Sequence, residues 1–148
     1  MRESWSIVML IGGALFAAGV VPIAWERAPA WRAADYGTFR VEFSHTLRRM
    51  DRLQPALLLA CLVSTVGFAV SASGTARTLA GLAASCFLAV LVGSGAVLVP
   101  IQRRLVDPGS DLSAADFERL RTRWLRGHLI RTLVALVAFV LLVVAAVG

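Results

Sequence analysis

Four stretches of this chain are apolar for long enough to cross a bilayer in a helix, which takes about 20 residues. They run over residues 5–25, 55–73, 78–101 and 129–147. Four crossings in 148 residues leave only two polar connections of any length, so there is no room for a separate soluble domain. The expected architecture is all-α: an integral membrane four-helix bundle forming a single domain over residues 1–148, with a long fourth helix. A hydrophobic share of 58% and a mean hydropathy of +0.76 agree, since an ordinary soluble domain is less apolar. "APA" at Ala28–Ala30 resembles the cleavage site of a secretory signal. The apolar run from Trp5 is longer than the ~7–15 residues of such a signal, so the first stretch reads as a true span.

The net charge of +6 comes entirely from arginine among the basic residues. Arg27, Arg32, Arg40, Arg48, Arg49 and Arg52 fall between spans one and two. Arg103, Arg104, Arg119, Arg121, Arg123 and Arg126 fall between spans three and four, against only Arg2 and Arg77 on the other side. That asymmetry predicts both long connections in the cytoplasm and both termini outside. It also accounts for the basic charge without a nucleic-acid partner.

The first connection is more than a linker. Phe39, Phe43, Leu47 and Met50 stand at i, i+4, i+8 and i+11, the spacing of one apolar helix face. An amphipathic cytoplasmic helix over residues 38–53 is expected, lying on the surface or folded back under the bundle. Pro22 should kink the end of span one. Asp107-Pro108-Gly109 signals a turn, and "SAAD" at Ser113–Asp116 a helix start with Asp in place of the usual capping Glu. From Ala114 to Val147 one helix of about 50 Å should then run to the C-terminal end, well beyond a ~30 Å hydrocarbon core. Cys61 and Cys86 lie inside spans and form no CxxC pair, which argues against thiol–disulfide chemistry. The spans contain almost no ionisable side chains, so a proton or ion pathway is not expected.

The chemistry concentrates at the head of the last span. Trp124, His128 and Arg131 stand at i, i+4 and i+7 and share one helix face. Ionisable groups just inside a membrane boundary either snorkel outward or face the bundle interior, where they mark functional sites. Glu42 and His45 form an ExxH pair, and with His128 they are candidate ligands for non-haem iron.

"LVPIQRRL" and "FERLRTRWLRGHLIRTLVALVAF" together resemble the anthrone oxygenase-like family of small four-span membrane proteins, formerly a domain of unknown function. Members end span three in a proline, a polar residue and a basic run, and begin span four with W-x-x-x-H/N-x-x-R-T. Pro100, Gln102, Arg103, Trp124, His128, Arg131 and Thr132 occupy those places. Gln102 stands where Asn is common, and a histidine at position 45 is not a family feature.

The resemblance implies oxidation of an anthrone-type, polyketide-like substrate with O2 as co-substrate and no metal or flavin cofactor. His128 would be the base, with an ordinary pKa near ~6.5, and Arg131 would stabilise the enolate oxygen. Asp51 or Glu42 would orient His128, and Trp124 would stack on the planar substrate. Gln102 and Trp25 complete the candidate substrate-binding set. Two other readings stay open: a non-catalytic bundle binding membrane lipid or a partner subunit through its arginines, with homo-oligomers allowed, and a metal-dependent oxygenase.

Overall fold

The computed structural model describes residues 2–148, with the side chain of Asp51 outside the described residues. The described chain is all-helical, and four helical stretches are long and apolar enough to cross a membrane: Arg2–Ala33, Arg52–Ser71, Gly74–Val106 and Ala114–Val147. Three outrun the apolar stretch that announced them, because helix continues into the charged segments, while the second starts earlier, at Arg52, and ends at Ser71, two residues short of the expected 73. The protein is a membrane protein of bundle architecture.

Helix α1 (Arg2–Pro22) passes through a π-turn at Ile23–Arg27 into the short α2 (Ala28–Ala33). Helix α3 (Tyr36–Ser71) is followed by α4 (Gly74–Gly93), a second π-turn at Ser94–Leu98, and α5 (Val99–Val106). Helix α6 (Ala114–Val147) completes the fold. Around the bundle α1 packs on α3, α3 on α4, α4 on α6, and α6 back on α1. The α3–α4 turn is tight enough to place Gly74 at φ +56°, a backbone region that glycine enters without steric cost. Arg77 Nε donates to the carbonyl of Ala72 at 2.8 Å and satisfies an orphan acceptor at the end of α3.

The amphipathic segment is helical, as its spacing requires, with Phe39 and Phe43 fully buried. It is not a separate surface helix. Pro55 fails to break the chain, and the segment runs unbroken into the second span as one helix of 36 residues. The kink expected at Pro22 is instead a π-turn just beyond it. Both π-turns are followed, two residues on, by a proline: Pro29 at the start of α2 and Pro100 at the start of α5. Proline removes a backbone donor and crowds the preceding turn, and a wider turn accommodates both effects. The Ser113–Asp116 cap forms: Ser113 Oγ accepts from the Asp116 N–H at 3.1 Å and donates to its carboxylate at 2.7 Å. Asp107 Oδ1 likewise accepts from the Gly109 N–H at 2.9 Å in the predicted turn.

Two buried clusters divide the interior. The first, in the membrane-spanning half, sets Met9, Phe16, Phe68, Phe87 and Leu142 among buried alanines of α4 and α6. Lipid is as apolar as these side chains, so burial from water does not drive their association. Close packing of small residues does. A Cβ at Gly12 would lie 3.3 Å from Cys61 Cβ and 3.4 Å from its Cα, so here α1 lies directly against the backbone of α3. The second cluster lies at the arginine-rich end and is aromatic: Trp31, Phe39, Phe43, Phe117 and Trp124.

Candidate functional site

Between the two clusters lies a cavity of about 680 Å³. Its wall is mostly apolar, with Phe16 and Leu58 from one cluster and Trp31, Leu98 and Trp124 from the other. Into that wall the fold places Gln54, Gln102, His128 and Arg131. The volume falls within the range of small-molecule sites, about 300–1,000 Å³.

Helical spacing puts His128 there. The buried face of α6 runs through Phe117, Arg121, Trp124, His128, Thr132 and Ala135, steps of three and four residues. His128 is 0% exposed. Its Nε2 lies 3.2 Å from the carbonyl oxygen of Val20, in the last turn of α1 before the π-turn. A carbonyl only accepts, so Nε2 carries the hydrogen, and in the neutral ring the basic lone pair is on Nδ1. Nδ1 is buried and has no hydrogen-bond partner among the described residues. Thr132 Oγ1 donates to the backbone carbonyl of His128 at 2.9 Å.

The same turn of α1 receives a second side chain. Gln54 Nε2 donates to the Gly19 carbonyl at 3.2 Å, and Gln54 Oε1 accepts from Arg131 Nη2 at 2.9 Å. Consecutive carbonyls of α1 are therefore capped by α3 and α6. Non-helical backbone at membrane depth is tolerated where side chains of neighbouring helices satisfy it. Gln54 is only 8% exposed, so its amide sits where an unmet hydrogen bond is costly.

Trp124 is built into the wall. Its ring lies parallel to the His128 imidazole, centroids 5.1 Å apart and planes 11° from parallel. It meets Phe43 edge-to-face at 4.7 Å and Trp31 at 6.0 Å. At 4% exposed, it carries the imidazole, where the sequence suggested a platform for substrate.

Trp25 does not join the site. It is 85% exposed, because Ile23, Ala28 and Trp31 take the inward positions around the first π-turn. Trp31, which no sequence motif singles out, is the tryptophan of this segment that lines the cavity. Glu42, His45 and His128 do not converge on a metal site. Glu42 and His45 face outward from α3 while His128 is enclosed, and no group of three metal-ligating side chains exists among the described residues. His45 belongs instead to a separate groove with Tyr36 and Arg40. Glu42 is therefore not the group that orients His128; the Val20 carbonyl is. The side chain of Asp51, the other expected orienting group, lies outside the described residues.

A residue of purely architectural weight also emerged. Arg121 is 7% exposed; its Nη1 donates to the carbonyls of Trp31 and Ala34 at 3.1 and 2.7 Å, and its Nη2 to Glu118 at 2.6 Å. The guanidinium lies over Phe39 and Phe117 at 5.7 and 5.4 Å. It closes the C-terminal end of α2 and so fixes Trp31.

The sequence pattern of anthrone oxygenases matches residues 43–141. The chain belongs to the anthrone oxygenase family. The matched stretch carries Gln54, Gln102, Trp124, His128 and Arg131, so the polar side chains deep in the cavity fall within it. Trp31 and the capped carbonyls of Gly19 and Val20 lie before it. No curated protein and no solved structure matches the chain.

Proposed function

We propose that this chain oxidises a planar, anthrone-type substrate with O2 inside the cavity, without a metal or organic cofactor. The observation that supports the reading is the presence of a buried imidazole, His128, and the half-buried guanidinium of Arg131 on the wall of a single, mostly apolar cavity. An anthrone has a methylene whose loss of a proton gives an electron-rich enolate. His128 Nδ1 takes that proton, and Arg131 stabilises the enolate oxygen, a contribution of about 10²–10³ in rate for comparable donors. The enolate passes one electron to O2, and the carbon radical and superoxide combine into a C–O bond. The resulting peroxide anion takes back the proton from His128. Removal of the second methylene hydrogen with cleavage of the O–O bond releases water and leaves the quinone carbonyl. One anthrone and one O2 become one quinone and one water.

Trp124 serves as a positioning residue by holding the imidazole plane. The Val20 carbonyl fixes the tautomer. In this reading the arginine-rich connections face the cytoplasm and both termini lie outside, following the charge asymmetry.

The test is quinone formation from anthrone and O2 by membranes carrying the full chain. His128→Gln should lower the rate at least about 10²-fold, as for loss of a general base. Turnover equal to the unsubstituted protein would remove His128 from the mechanism. The lipid- or partner-binding alternative predicts no turnover by either protein.

A further inference from the structure

We infer that the cavity holds an anionic ligand, with a flat apolar body toward His128 and an acidic group at the mouth between Arg48 and Arg103. The inference rests on the reading of this cavity as a ligand site, not on the reaction proposed for it. Arg48 comes from α3 and Arg103 from α5; both are exposed, and both line the same cavity as His128. No Asp or Glu lines it among the described residues. Its deeper wall is mostly apolar and carries one guanidinium, that of Arg131, which donates to Gln54 Oε1 at 2.9 Å, whereas the exposed part of the lining carries two.

A topology signal needs arginines only on the correct side of the membrane. It does not require two of them, from different helices, on the rim of one apolar hollow. Guanidinium groups suit a carboxylate or phosphate because they offer paired donors in a plane, and they pack well against aromatic rings. The same chemistry would recognise the acidic group of a polycyclic acid or the phosphate of an anionic lipid.

The experiment uses the full chain in phosphatidylcholine nanodiscs, titrated with anthracene-9-carboxylate and, separately, the uncharged anthracene-9-carboxamide. Quenching of tryptophan fluorescence reads binding, since Trp31 and Trp124 line the cavity. The carboxylate should bind about tenfold tighter than the carboxamide. Arg48→Gln and Arg103→Gln should each weaken the carboxylate about threefold or more and leave the carboxamide unchanged. Both residues are exposed, and unaltered carboxamide binding doubles as the check on folding. A tenfold weaker carboxylate signal in nanodiscs with phosphatidylglycerol, absent in the Arg48→Gln/Arg103→Gln protein, would assign the anion site to lipid phosphate. No carboxylate binding, equal affinity for the two probes, or equal losses for both on arginine substitution would overturn the inference. Because the readout involves no O2 and no turnover, its failure is separable from failure of the oxidation test.

Discussion

Gln54 offers the sharpest test of how this site is held together. Replacement by Leu keeps the volume and the helix propensity but removes both the donor to the Gly19 carbonyl and the acceptor for Arg131. An amide–carbonyl bond contributes about 1 kcal/mol net and one to a charged group about 2 kcal/mol. Hydrogen bonds between membrane helices average only about 0.6 kcal/mol, because the unfolded chain in the membrane also finds partners. The two bonds lie at the arginine-rich end of the bundle, so the expected loss falls between these limits, at about 2 kcal/mol. Unfolding in mixed detergent micelles, followed by far-ultraviolet circular dichroism, measures it. Arg131→Met and the double variant complete a thermodynamic cycle. A coupling of about 1 kcal/mol is expected between Gln54 and Arg131, whereas independent sites add to within about 0.5 kcal/mol. Strict additivity, or a Gln54→Leu protein as stable as the parent, would refute the claim that this amide bridges α1 and α6.

Three further outcomes follow from other contacts. Gly12→Val places side-chain atoms against the Cys61 backbone and should destabilise the bundle by about 1–3 kcal/mol, while Gly81→Ala, with nothing within 4 Å of its Cβ position, should not; the same unfolding assay compares them. Arg121→Lys keeps the charge but loses the planar fork that reaches two carbonyls and Glu118 together, so a loss of about 1–3 kcal/mol and greater proteolysis between α2 and α3 are expected. Asp35 accepts hydrogen bonds from the Thr38 N–H at 3.0 Å and its hydroxyl at 2.7 Å, which hold its carboxyl below the ordinary value of 3.8. Its capping of α3 is thus complete above pH ~4 and lost as pH falls through the lower folded value, so hydrogen exchange at Thr38, corrected for intrinsic rate, should quicken on acidification and not in Asp35→Ala.

The stripe Trp124–His128–Arg131 was legible because a helix repeats every 3.6 residues, and one inward residue fixes the direction of those a turn away. The same logic found the buried Phe39–Phe43 face. Gln54 was not legible. Its partners lie 35 and 77 residues away and meet it only through the packing of α1 and α6 on α3. The signal it did leave is a lone amide beside Pro55, at the mouth of an apolar span. Trp25 looked like a wall residue because it ends the first apolar run, but the π-turn sets the helical phase, and that phase favours Trp31. Prolines at 29 and 100 marked where turns would widen without saying which carbonyls would be left to accept from elsewhere.

Because α3 is one continuous helix of about 54 Å, its amphipathic half and its membrane span form one element. Within that element Gln54 ties α3 to the Gly19 carbonyl of α1 and to Arg131 of α6. Arg48 from the amphipathic half and Gln54 at the start of the span therefore reach the same hollow from one helix, in a register set by helical geometry alone.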